Sequence, residues 1–421
     1  MATVIHQQAD SESIAASNTT YPVLLGNYSL FRSANEAGAN TVWRSAGVLS
    51  NLYINILTND RAASTFRTRK GTANANLVVS ITGSTTGKFE DTSNTDTVAA
   101  GDNWHASIVT GAGGTVFTYN VNSVLFAATT NTVHKIGCGF TDISLASTTE
   151  FSPFYGRSVT PQAADSNVGM TMRTAGTLAK LGAQVGVNSR TTTSTFRSRV
   201  NNGFGAQTIS IAGGTTGNVE DTTNSDTIAS GDLINWSMTT GTGTEILSTN
   251  STHVEFTTTN SLQQYVVGIA VGLAQAAGVT TYYPFAGRLL TSTTESNMVA
   301  ETNLAFTASL LQCNISANTI VLDSTLTLRK NSGVANQTVT ITALTTGIFQ
   351  DTTNTDTIVA SDTLDYEVVT PSTLTAITIR SISLLGDSTV ASASVPISSS
   401  VFRRTFSGIG TGIGKRQVHG W

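Results

Sequence analysis

The sequence predicts an all-β chain of three tandem antiparallel β-sandwich, jelly-roll-like domains, and composition, a long internal repeat and dense strand signals carry that expectation. Only 11% of the 421 residues are charged, whereas Thr supplies 73 positions and Gly 37. Helix surfaces draw on Glu, Lys, Arg and Ala, yet this chain has six Lys. Its abundant Thr, Val and Ile suit pleated strands instead.

The repeat is visible without gaps. Residues 64–102 read STFRTRKGTANANLVVSITGSTTGKFEDTSNTDTVAAGD, residues 194–232 read STFRSRVNNGFGAQTISIAGGTTGNVEDTTNSDTIASGD, and residues 324–362 keep the same offset of 130. Pro22, Pro153 and Pro284 mark the same period in YPVLLG, SPFYGR and YPFAGR. Such a period is a domain's length, far above the roughly 20 to 50 residues of solenoid and propeller units. Placed by the prolines, the repeats run over residues 21–151, 152–282 and 283–400, between an N-terminal arm at 1–20 and a basic tail at 401–421. No Pro-rich, Gly/Ser-rich or charged spacer separates them, so the repeats are expected to pack closely.

Within the first copy, residues 48–58, 65–69, 77–82, 104–110, 116–127 and 133–140 alternate or run apolar between Gly, Asn, Asp and Ser clusters. Completing the pattern gives eight to ten short strands, the content of an eight-stranded jelly roll. An immunoglobulin-like sandwich is the alternative, without its Cys…Trp…Cys spacing. Residues 103–133 and 256–287 contain no charged side chain. Strands there are expected to be covered on both faces, the second by a neighbouring domain or subunit.

Several function classes are disfavoured. A net charge of −4 gives no general attraction to phosphate backbones or anionic lipid, so neither nucleic acid nor membrane is an expected partner. The first residues show no basic-then-apolar signal pattern, and the apolar run 266–279 is shorter than the roughly 20 residues of a spanning helix, so synthesis in a host cytoplasm is expected. Cys138 and Cys313 fall at different places in the repeat and are read as buried free thiols. His6, His105, His134, His253 and His419 are scattered with no zinc-ligand spacing, and neither a nucleophile elbow nor a phosphate loop is present. No cofactor and no catalysis are expected, although two carboxylates meeting in space for glycoside chemistry would leave no local signature.

The most repeated polar motif is E-D-T-x-N-x-D-T, with Gln350 replacing Glu in the third copy. Asp91, Asn94 and Asp96, with Asp221, Asp226, Asp351 and Asp356, offer oxygens to calcium, but the spacing lacks the alternate ligands of an EF-hand and the residues are also turn formers. Turns are the preferred reading. Arg67 and Arg69, repeated as Arg197 and Arg199, alternate with Phe66 and Thr68 and so share one strand face, either solvated, intersubunit or an anionic-glycan site. Trp104, Trp236 and Tyr366 hold near-equivalent positions and are read as core. Residues 1–20 carry −2, and Arg403, Arg404, Lys415 and Arg416 give the end +4, so the tail through Trp421 is read as docking on another subunit.

The step V-A-A-G-D-x-W at residues 98–104, a small-residue turn feeding an aromatic-bearing strand, resembles the tumour necrosis factor and C1q-like jelly rolls. The wider pattern of R-T-A-G-T-L at 173–178, S-T-F-R-x-R, T-T-G-x-x-E-D-T-x-N-x-D-T and G-D resembles tandem β-domains in surface proteins of tailed-bacteriophage virions. That resemblance implies a virion structural protein serving as capsid decoration, spike or fibre, and it brings no catalytic residues. The implied partners are other virion subunits, and the uncharged β faces are expected to lie inside a homo-oligomer, a trimer favoured, or inside a pseudo-trimeric monomer. A glycan-binding adhesin or receptor-binding fibre, touching host glycan, is the alternative, and a polysaccharide-degrading enzyme comes third.

Overall fold

A computed structural model describes residues 3–9, 13–22, 24, 36–130, 132–138, 143, 146–154, 163–165, 168–243, 245–259, 263–268, 273–285, 291–302, 305–371 and 376–387. The first repeat contains β1 (Thr3–Ala9), β2 (Thr19–Thr20), β3 (Thr41–Val42), β4 (Gly47–Asn59), β5 (Ser64–Lys70), β6 (Ala73–Ile81), β7 (Gly87–Val98), β8 (Asn103–Val109) and β9 (Phe117–Ala128). They form two antiparallel sheets in the orders β1-β9-β4-β7 and β2-β8-β5-β6, with β3 beside β8. Apart from β2/β3 and the β5-β6 hairpin, which stay within one sheet, successive strands cross between the sheets and the first strand lies beside the last, which is the connectivity of a jelly roll. The same order recurs in the other two repeats, so six sheets fall into three pairs. The chain is all-β, and among the described residues helical structure is confined to short turns such as Glu36–Ala39 and Glu295–Asn297.

Alternation builds these sheets. In β5, Ser64, Phe66 and Thr68 are buried while Thr65, Arg67 and Arg69 face outward, and in β6 Leu77, Val79 and Ile81 close the same core. β4 departs from simple alternation. Its register to β7 shifts between Ser50 and Leu52, where Asn51 takes φ +50. The bulge resets the phase, so Leu49 before it and Leu52, Ile54 and Ile56 after it all enter the core. Lys180 (φ +54) and Leu310 (φ +57) stand at the same bulge in the other repeats. Gly47 and Gly176 open their strands where a Cβ would lie 2.4 Å from the carbonyl oxygens of Ala127 and Thr257, so glycine there lets neighbouring strands approach.

The sheets draw the repeats earlier than the prolines do. β1 pairs with β9, so residues 3–9 are an edge strand of the first repeat rather than part of a separate N-terminal arm, and they satisfy backbone groups that β9 would otherwise expose. Thr132–Cys138 pairs with Leu247–Thr258, and Gln263–Gly268 pairs with Ala376–Asp387, so the second and third repeats take their first strands before 152 and 283. The proline-bearing segments Thr149–Pro153 and Thr280–Pro284 are, as their apolar composition suggests, strands of the following sheets.

Packing between repeats is continuous. The first two share one apolar cluster containing Trp43, Trp104, Met172 and Trp236, and Leu125 of β9 belongs to the cluster of the third. Within the uncharged stretch 103–133, residues 122–126 of β9 are buried on both faces, and nearly all of Leu247–Thr258 is buried likewise. Among the described residues no helix is long and apolar enough to cross a membrane.

Candidate functional site

Charged and polar side chains meet at three seams between repeats. At the first, Arg44, just before β4, makes a bidentate ion pair with Glu220 on Gly217–Ile228, the second repeat's counterpart of β7. His253 Nε2 lies 3.0 Å from the same carboxylate, and Ser45 Oγ donates to Glu255 at 3.0 Å. Asn250 Nδ2 also donates across the seam to the Gly38 carbonyl at 2.6 Å. Burial pushes the Glu220 carboxyl up, but hydrogen bonds from His253 and Arg44 together hold it down at about 2.

At the second seam Arg173, three residues before Gly176 as Arg44 is before Gly47, donates to Gln312 Oε1 at 2.6 Å and Gln350 Oε1 at 3.0 Å. Gln350 is the third copy of Glu220. At the third seam Lys88 of β7 pairs with Glu301 of Ala300–Glu301, the counterpart of β3, and lies 3.1 Å from Glu90, the first copy of Glu220. Burial, then the charges of Glu301 and Glu90, push the nearby Tyr53 phenol well above its ordinary range. Each seam therefore sets the segment leading into one repeat's long β4-type strand against the β7-type strand of the next. The order first to second, second to third, third to first closes a ring.

The Asp-rich motif is spent inside each repeat. Asp91 Oδ1 accepts the backbone N–H groups of Ser93 and Asn94, each at 3.1 Å, and its Oδ2 accepts Val78 N–H at 2.9 Å. Asn94 turns its Nδ2 toward the carboxylate, at 2.9 Å, rather than its oxygen. Asp221 and Asp351 repeat this arrangement on Thr208 and Thr338. Asp96 binds a different place, the N–H groups of Asn76 and Leu77, and Asp226 and Asp356 accept from the equivalent segments of their repeats. Burial raises Asp351, but N–H donors led by Asn354 hold it down at about 2, and the same balance lowers Asp91 and Asp221. N–H donors ring these oxygens, which is an anion's environment rather than a cation's. Among the described residues no group of three or more His, Cys, Asp or Glu is placed to hold a metal ion.

The G-D step is a turn. Gly101 (φ +97) and Gly231 (φ +99) sit in the left-handed region, and Asp102, Asp232 and Asp362 accept the N–H three residues back at 2.7–2.8 Å. Trp104, Trp236 and Tyr366 are core residues. Cys313 is a buried free thiol that burial pushes far up. The side chain of Cys138 and the tail residues Arg403, Arg404, Lys415, Arg416 and Trp421 lie outside the described residues.

A second constellation, of which sequence reasoning named only Arg69 and Arg199, recurs on the outer face of each β2-type sheet. Arg69 and His105 share Glu36, at 2.6 and 3.0 Å; Arg199 and Asn235 share Asp165; Arg329 pairs with Glu295 at 3.0 Å beside Asp365. Burial pushes the His105 imidazole down to about 4 despite Glu36. Burial, reinforced by Glu295, pushes Asp365 up to about 8. The signal that could have found it is the offset of 130 residues from His105 to Asn235 and again to Asp365, one polar position kept inside otherwise apolar strands. No family model matches the chain, and no curated protein matches it.

Proposed function

We propose that the chain is a non-catalytic structural protein of a bacteriophage virion surface, a decoration, spike or fibre subunit whose unit of assembly is one pseudo-trimeric polypeptide. The observation that carries this reading is the ring of seams: the three repeats meet through equivalent elements, as three subunits of a trimer would. The jelly-roll connectivity and the resemblance of the repeats to virion surface domains support the same reading. The turn carboxylates and seam charges are used for holding the body together, which suits a scaffold.

The test is location. Antibody against the purified protein, followed by gold labelling of particles from the source culture, is expected to decorate particles in the electron microscope. Protein that stays in the particle-free supernatant would overturn the proposal. Deleting residues 408–421 is expected to reduce particle attachment while leaving the folded body intact, read by co-sedimentation and circular dichroism.

A further inference from the structure

We propose that the outer face of the first repeat's β2-β8-β5-β6 sheet binds a carboxylated sugar. A groove of about 370 Å³ opens there, lined by Thr19, Tyr21, Thr65, Arg67, Arg69, Asn74, Ser107 and Val109, with no acidic side chain among the described residues of its wall. Its volume is at the lower end of ligand-sized clefts. Registers explain the convergence: Arg67 lies opposite Ser107, Arg69 opposite Asn74, and both Thr19 and Thr65 opposite Val109.

The two arginines differ in what they have left to give. Arg69 is held by Glu36 and stacks over Tyr21 with its Cζ 5.9 Å from the ring centre. Arg67 makes no hydrogen bond or ion pair with any described residue, so its guanidinium is open to a bidentate carboxylate. Asn74 uses its Oδ1 to accept from Arg69, which leaves its Nδ2 as a donor. Hydroxyls of Thr19, Thr65 and Ser107 line the rest, and Tyr21 with Val109 gives an apolar wall. Among the described residues one free cation lies with hydroxyls and an amide, an arrangement that suits a singly charged polyhydroxylated ligand better than a polyanion, which the chain's net charge of −4 also repels.

The other repeats carry the same face in altered form. In the second, Phe204 stands where Asn74 does, and its ring packs 4.7 Å from Arg197 and 4.6 Å from Arg199, covering both guanidinium faces. In the third, Thr327 replaces Arg67 and Glu367 replaces Ser107, so the face is acidic. The site is therefore assigned to the first repeat alone, and it stands independently of the virion reading because it concerns the isolated protein.

Saturation-transfer and titration NMR on the full chain with N-acetylneuraminate and with glucuronate test it, using methyl galactoside and acetate as controls. Either acidic sugar is expected to bind at least about tenfold more tightly than both controls, a difference of roughly 1.4 kcal/mol. Arg67→Thr and Asn74→Phe, each the residue another repeat already holds there, are expected to weaken binding at least about tenfold, a comparable loss of one charge-assisted contact. The proposal is overturned if the wild-type chain binds neither acidic sugar, if acetate binds as well as they do, or if folded Arg67→Thr binds them unchanged. Should a variant lose its native circular dichroism, the wild-type comparison of acidic sugar with controls decides alone.

Discussion

Asp365 has a counterpart in each repeat, and the three side chains show what that buried position tolerates. His105 and Asn235 both find a carboxylate partner, whereas Asp365 faces Glu295 and Glu367 with neither of its oxygens hydrogen-bonded to a described residue. Its folded pKa of about 8 lies above the ordinary value of 3.8, so the folded state holds a proton that the unfolded chain releases. The sign follows: stability is full below about pH 4 and is lost as pH rises through 8. Asp365→Asn, which installs the second repeat's residue, is expected to raise stability by roughly 2–4 kcal/mol at pH 8 and to change little at pH 4. Denaturant melts at the two pH values check this, and an equal gain at both would contradict it. Ser361 is a second residue-scale case, holding φ +79 where the other repeats have Gly101 and Gly231. Ser361→Gly is expected to gain about 0.5–1 kcal/mol by the same melts, because a left-handed backbone costs a side chain more than it costs glycine.

At the scale of elements, the Asp-rich strands act as ties between β6-type and β7-type strands. Asp221 accepts Thr208 N–H at 2.8 Å from the neighbouring strand as well as N–H groups of its own turn. Its replacement by Ala is expected to cost about 2–3 kcal/mol, the loss of charge-assisted bonds plus stranded donors. Chelator is expected to leave the melting temperature unchanged, and a fall of several degrees would show that a cation holds these turns. At the first seam, Glu220 is lowered from 4.5 to about 2, so its contribution is present above pH 4.5 and fades as pH falls through 2. Glu220→Gln is expected to cost about 1–3 kcal/mol at pH 7, with the difference from wild type shrinking in acid. Strand positions, the core aromatics and the turn role of Asp91 were legible because alternation and turn chemistry act over a few residues. The bulge at Asn51 was not, since a left-handed residue inside VLSNLYINILT leaves no local mark beyond the broken phase of Leu49 and Leu52.

At the scale of the whole molecule, the repeat and its length could be read directly, but the seams could not. Arg44 meets Glu220 across 176 residues and Arg173 meets Gln312 across 139, and no pattern within one copy announces those pairs. The uncharged stretch around β9 did announce that a second face is covered, without saying by what. Its cover is another repeat of the same chain: Leu125 joins the third repeat's apolar cluster. The ring depends on its last closure, because the first and second seams join repeats adjacent in sequence while Lys88–Glu301 joins the two that are not. Zero-length carbodiimide coupling of the dilute monomer, followed by peptide mass spectrometry, tests that closure most directly. A Lys88–Glu301 amide within one chain is expected, alongside the within-repeat links Lys70–Asp102 and Lys180–Glu255 whose atoms lie 2.7 and 2.8 Å apart. Recovery of the two within-repeat links without the Lys88–Glu301 link would show that the repeats do not close into a ring.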